Sequence, residues 1–174
     1  MPVFFSNLLG GFKSAAGPSG SPNTAEETLN GPALAQALLI CVGGAALESL
    51  AAGKSPRAYL ATLVLPRGSP SFGGWVIVGI AYYAVCAILL YRLLTQGFET
   101  FSVSAAITLL LLLMAANAFW NYLFFRRRSP RAGYLAFFPY ALLALLLITA
   151  LLFADRLGAW IFLPYLGYMV YALW

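Results

Sequence analysis

The chain has 174 residues, 62% of them apolar and only 9% charged, where soluble proteins carry roughly 45–50% and about 25%. A water-soluble fold of this size has no interior large enough for so many apolar side chains, so the solvent must be lipid. The formal charge of +5 does not mark a nucleic-acid binder, because the Lys and Arg residues cluster between apolar runs, as membrane topology requires.

Residues 1–31 are rich in Gly, Ser, Pro and Asn, with Glu26 and Glu27 as their only acids. They read as a mobile or surface-lying leader. Val3-Phe4-Phe5 and Leu8-Leu9 are too short for a signal peptide, and Lys13 follows them instead of leading. Pro32 opens the first spanning run, about 33–53, in which Gly43-Gly44 offers a close approach to a neighbouring helix. Glu48 is expected near the interface, paired with Lys54 or Arg57; a buried functional carboxylate is the alternative.

The connection 54–74 holds Lys54, Arg57, Arg67, three prolines and Gly73-Gly74. Its middle, Tyr59-Leu60-Ala61-Thr62-Leu63-Val64-Leu65-Pro66, is too short to span and too apolar to lie free in water. It is expected to fold over the helix ends as a lid. The second run, about 75–94, starts with Trp75 at the interface and continues at helical spacing through Gly79, Tyr82 and Cys86.

The third run, about 101–125, ends in Asn117-Ala118-Phe119-Trp120-Asn121-Tyr122-Leu123-Phe124-Phe125, followed by Arg126-Arg127-Arg128. Amides in hydrocarbon are costly unless partnered. Asn117, Trp120 and Asn121 follow i, i+3, i+4, so they are expected to share one face that meets something other than lipid. A fourth run, about 133–153, contains Pro139. After Asp155-Arg156 a fifth, about 158–174, holds Trp160, Pro164, Tyr165, Tyr168, Tyr171 and Trp174.

Each run approaches the ~20 apolar residues that a bilayer core requires. Their continuous apolarity excludes barrel strands, which alternate. The fold class is an all-α integral membrane protein, a bundle of five transmembrane helices over 32–174. The connections 54–74 and 126–131 share one side and carry Lys54, Arg57, Arg67, Arg126, Arg127, Arg128 and Arg131. The positive-inside bias puts that side and the C-terminus in the cytoplasm, with the N-terminus outside. There is no His, and Cys41 and Cys86 fall inside apolar runs as small packed residues. No metal site, required cofactor or general base and nucleophile pair is legible, so conventional catalysis is not expected.

The lid stretch Tyr59 to Pro66, Trp75-Val76, Asn117-x-x-Trp120 with Leu123-Phe124-Phe125, and Trp160 with Pro164-Tyr165-Leu166 together resemble the TspO/MBR family, the translocator proteins or tryptophan-rich sensory proteins. The resemblance covers roughly 33–174. It implies a pocket under the first loop for porphyrins, sterol-like molecules and other flat hydrophobic ligands, and a protein of transport or sensing. A homodimer is a further partner that it implies. Carried over by position, the ligand-binding residues would be Tyr59, Leu60, Trp75, Asn117, Trp120, Asn121, Tyr165, Tyr168 and Ala172.

The chain departs from the family's pattern. The lid's Trp-Tyr pair reads Tyr59-Leu60, its Lys reads Leu65, the second helix continues Gly79-Ile80-Ala81, and Tyr168 stands where the family usually has Trp. Light-dependent porphyrin degradation, reported for some members and tied to Trp at the Ala81 and Tyr168 positions, is therefore a minor alternative. The other is a structural or partner-binding subunit without a small ligand. Asn117 and Asn121 would then only tie helices together, and Arg126-Arg127-Arg128 would only set topology.

Overall fold

A computed structural model describes residues 29–65 and 67–173. The leader expected over 1–31 lies, for residues 1–28, outside the described residues, as do Pro66 and Trp174.

Local chemistry sets the helix ends. Helix α1 spans Gly31–Ala52, and Asn30 starts it: its side-chain oxygen accepts the Ala33 amide at 3.2 Å, with proline in the first turn. Gly53, at φ 82°, ends it in a conformation that suits glycine. The short helix α2 (Pro56–Leu60) follows in the connection. Helix α3 (Phe72–Gln96) begins three residues before the expected Trp75, because Ser71 caps it through the Gly74 amide at 3.3 Å. Helix α4 (Phe101–Asn121) runs into a π-helical turn, Tyr122–Arg126. Helix α5 (Pro130–Ala154) is capped by Ser129 with proline at its start, and α6 covers Arg156–Leu173. Pro139 and Pro164 are accommodated inside α5 and α6.

Helices α1, α3, α5 and α4 with its π turn are long and apolar enough to cross a membrane. The fifth long helix, α6, has 18 residues, about 27 Å at 1.5 Å per residue. The five close into a ring in the order α1, α3, α6, α5, α4, with α4 returning to α1 and also touching α3 across the middle. The outer surface is apolar: Leu39 is 72% exposed, Ile77 68% and Phe153 80%. In water such a surface would aggregate, whereas in a bilayer it is the lipid contact.

Packing is uneven along the bundle axis. The fully buried side chains Leu89, Leu90, Leu93, Leu110, Leu147, Leu151 and Phe162 belong to the half away from the 54–71 connection, with Leu113 at the middle of α4. That end is closed by Arg92, whose guanidinium donates two hydrogen bonds to Asp155, at 2.6 and 2.8 Å. Toward the other end, none of the first ten residues of α3 is buried, and α6 beyond Leu166 buries only Met169 among its described side chains. The core is thus densest in one half of the bundle, while α4 stays buried toward the other end through Met114, Ala118 and Asn121.

Candidate functional site

The looser half is overlaid by the connection. Tyr59 and Leu60, on α2, are buried. The Tyr59 ring meets Phe124 edge-on at 5.8 Å, and the Arg128 guanidinium lies over the same ring, 5.9 Å from its centre. Further along, the Gly68 carbonyl accepts a hydrogen bond from Tyr171 of α6 at 2.6 Å. The apolar segment therefore packs over the helix ends, tied to the π turn on one side and to α6 on the other. It also puts the 54–71 connection, the Arg126–Arg131 cluster and the end of α6 at one end of the bundle.

Asn117 and Asn121 are partnered within the bundle, by a carboxylate of α1. Asn117 Nδ2 donates to Glu48 Oε2 at 2.8 Å, and Asn121 Nδ2 donates to Glu48 Oε1 at 2.9 Å. Asn121 also donates to the Asn117 carbonyl at 3.0 Å. Glu48 is on the inward stripe of α1 with Ala33, Ala37, Cys41 and Gly44. Its expected pairing with Lys54 or Arg57 is corrected: among the described residues the ion pair is Arg92–Asp155, at the far end. The reason is geometric, since helical spacing from Ala37 and Cys41 turns residue 48 toward α4.

The single face expected of Asn117, Trp120 and Asn121 is corrected too. About 100° of helix separates Trp120 from Asn121, and α4 has a neighbour on each flank. The amides turn to α1, whereas the Trp120 indole donates to the Gly133 carbonyl of α5 at 3.0 Å. Trp120 is stacked on Phe124 at 4.9 Å between ring centres. Gly133 permits this approach: a Cβ there would stand 3.1 Å from the Phe124 ring and 3.6 Å from the indole nitrogen.

Beside this stack lies a groove of about 320 Å³, lined by Trp120, Phe124, Pro130, Gly133, Tyr134, Phe137 and Ala172. Two of the expected site residues, Trp120 and Ala172, thus meet in one concavity. Tyr165 instead shares a hydrogen bond with Tyr140 and packs against Tyr82 at 5.1 Å. Tyr168 is half-buried between Tyr165 and Tyr171 of its own helix, and no hydrogen bond joins it to Asn121 among the described residues. Trp75 is half-buried with its indole nitrogen enclosed and unpartnered among the described residues. Trp160, 70% exposed, faces outward.

Sequence reasoning missed Gly133, Tyr134 and Phe137 because nothing local separates them from any apolar helix start. No group of three or more potential metal ligands occurs among the described residues. No curated protein and no solved structure matches the chain. The family model for the TspO/MBR family matches residues 37–174, which include the Tyr59 loop, the Asn117–Phe125 stretch and α6. With five apolar helices in a closed ring beneath a packed first loop, the chain is a multi-pass membrane protein and belongs to the TspO/MBR family.

Proposed function

We propose that the loop-covered half of the bundle binds a flat hydrophobic ligand, tetrapyrrole- or sterol-like, for transport or sensing. The observation that carries this reading is the uneven core: the inward faces of α3 and α6 are sparsely buried under the Tyr59–Leu60 loop, although α4 stays buried there. The stacked rings of Trp120 and Phe124 supply one flat wall, and Ala172, with its small side chain, leaves the opposite side open. Ring area buried there would contribute ~25 cal/mol per Å². The groove's volume, about 320 Å³, is at the low end of ligand sites, which run about 300–1,000 Å³. A tetrapyrrole therefore requires a lining side chain such as Tyr134 to give way.

The test is a titration of the chain, in phosphatidylcholine nanodiscs, with a porphyrin while Trp fluorescence is followed. Saturable quenching is expected, and Ala172→Phe, at an exposed position, should weaken it at least tenfold by filling the groove. Absence of saturable quenching would refute the reading. Equal affinity in Ala172→Phe would remove the groove from it.

We infer also that the loop end faces the cytoplasm. The Lys and Arg residues of the connections 54–74 and 126–131 lie at that end, and at the other end Arg92 is neutralised by Asp155. Membrane-impermeant labelling of single cysteines placed at Ser69 and Gln96, in a background lacking Cys41 and Cys86, would decide the orientation.

A further inference from the structure

Glu48 is an acidic side chain on the inward stripe of a spanning helix, and its hydrogen bonds do not neutralise it. Each carboxylate oxygen takes one amide hydrogen, from Asn117 and from Asn121. A carboxylate offers about four acceptor sites, more than the two amides fill. The amides orient the group but bring no positive charge. Among the described residues no Lys or Arg reaches it, since the ion pair there is Arg92–Asp155.

The surroundings add further polar groups without a cation. The side-chain oxygens of Asn117 and Asn121, whose nitrogens are committed to Glu48, accept no hydrogen bond among the described residues. The Tyr83 hydroxyl of α3 is enclosed and faces the Glu48 carboxylate as a further polar neighbour. It lies over Gly44, one turn before Glu48, 3.4 Å from where a Cβ would stand. Glu48 itself keeps partial exposure and stands in the loop-covered half of the bundle.

A lone carboxylate in an apolar bundle is costly unless something positive joins it. We propose that Glu48, held by Asn117 and Asn121, binds the protonated amine of an amphiphilic organic cation. The ammonium donates to the open carboxylate lone pairs and the Asn side-chain oxygens, and the apolar body lies between α1, α3 and α4. A divalent metal ion fits less well, because one carboxylate and neutral carbonyls supply too little charge and too few ligands. The same carboxylate repels ligands that carry carboxylates. This site is on the α1 flank of α4, about 100° around the helix from the Trp120 groove, so it stands or falls independently of that groove.

The test uses two fluorescent probes with the same ring, 1-pyrenemethylammonium and 1-pyreneacetate, titrated into the chain in phosphatidylcholine nanodiscs at pH 7. Energy transfer from Trp to pyrene is read, with empty nanodiscs as the partition control. The cation should bind at least tenfold more tightly than the anion. Glu48→Gln, which keeps the shape and an acceptor oxygen, should erase that preference while leaving porphyrin quenching unchanged. Ala172→Phe should leave the preference intact. Equal affinity of the two probes for the parent, no binding of either, or a preference that survives Glu48→Gln would overturn the proposal. The first two outcomes need no variant, so they hold even if Glu48→Gln fails to fold.

Discussion

The link between Glu48 and the two amides makes a quantitative claim about how α1 is held to α4. In Asn121→Leu, Glu48 Oε1 loses its donor, and the bond at 2.9 Å disappears along with the bond to the Asn117 carbonyl. Interhelical hydrogen bonds in membranes average ~0.6 kcal/mol and reach ~1.7 kcal/mol. Stranding a half-buried carboxylate oxygen adds a desolvation cost of ~1 kcal/mol or more. A loss of about 1–2.5 kcal/mol is expected for Asn121→Leu alone. In a Glu48→Leu background the stranded acceptor no longer exists, so the same substitution should cost almost nothing. The coupling from the double-mutant cycle should then be about 1–2 kcal/mol. Asn117→Leu should give a second, similar coupling, because it serves the other oxygen. The assay is reversible unfolding in mixed micelles, titrated with SDS and followed by far-UV circular dichroism. Additivity within about 0.3–0.5 kcal/mol, the usual result for independent sites, would refute the claim that these side chains act together.

Three further perturbations probe the rest of the bundle. The Arg92 guanidinium holds the Asp155 carboxyl below its ordinary range. A depressed folded-state value means that the pair's stabilisation is present above the unfolded value. It should fade as pH falls below about 4. Asp155→Asn should cost about 1–2 kcal/mol at pH 7, allowing for water around the one-third-exposed Arg92, and should flatten the acid limb of unfolding curves taken from pH 6 to pH 3. Gly133→Leu forces side-chain atoms against Phe124 and Trp120 and should destabilise by about 1–3 kcal/mol. A shift in Trp emission would report the broken indole bond. Tyr171→Phe removes the tether to Gly68. Hydrogen exchange over 61–71 should accelerate several-fold, since a net bond of ~0.5–1.5 kcal/mol is lost, while the Leu89–Leu93 region stays unchanged.

Much of the architecture is legible in the sequence because lipid is an undemanding solvent to read. Apolar runs bounded by Gly, Pro and basic residues define five helices, and their ends shift by a few residues, as where a cap such as Asn30 or Ser71 extends the first turn. The loop from Tyr59 was also readable, because a segment that apolar must pack against something. The site was harder. Spacing placed Asn117 and Asn121 together, yet it does not say which neighbour each flank of α4 meets. The ring order, with α1 on one side and α5 on the other, decides that, and helix order in a bundle leaves no mark in local composition. Glu48 shows the same limit: Lys54 and Arg57 are near in sequence, but the carboxylate points the other way, into the bundle. The π turn at Tyr122–Arg126 has no composition signal either. It arises where the chain leaves α4, through the Arg127 amide bonding to the Tyr122 carbonyl and the positive φ of Arg128.

On the proposed reading, one half of this bundle is the denser and the other accommodates a ligand beneath the loop. Hydrogen exchange of the chain in lipid nanodiscs, with and without a saturating porphyrin, tests it most directly. Slow exchange is expected throughout at Leu89–Leu93, Leu110–Leu113 and Leu147–Leu151, with ligand-induced protection confined to 56–65, 117–125 and 165–172. Uniform protection along every helix before ligand is added, with no change afterwards in the loop-covered half, would contradict it.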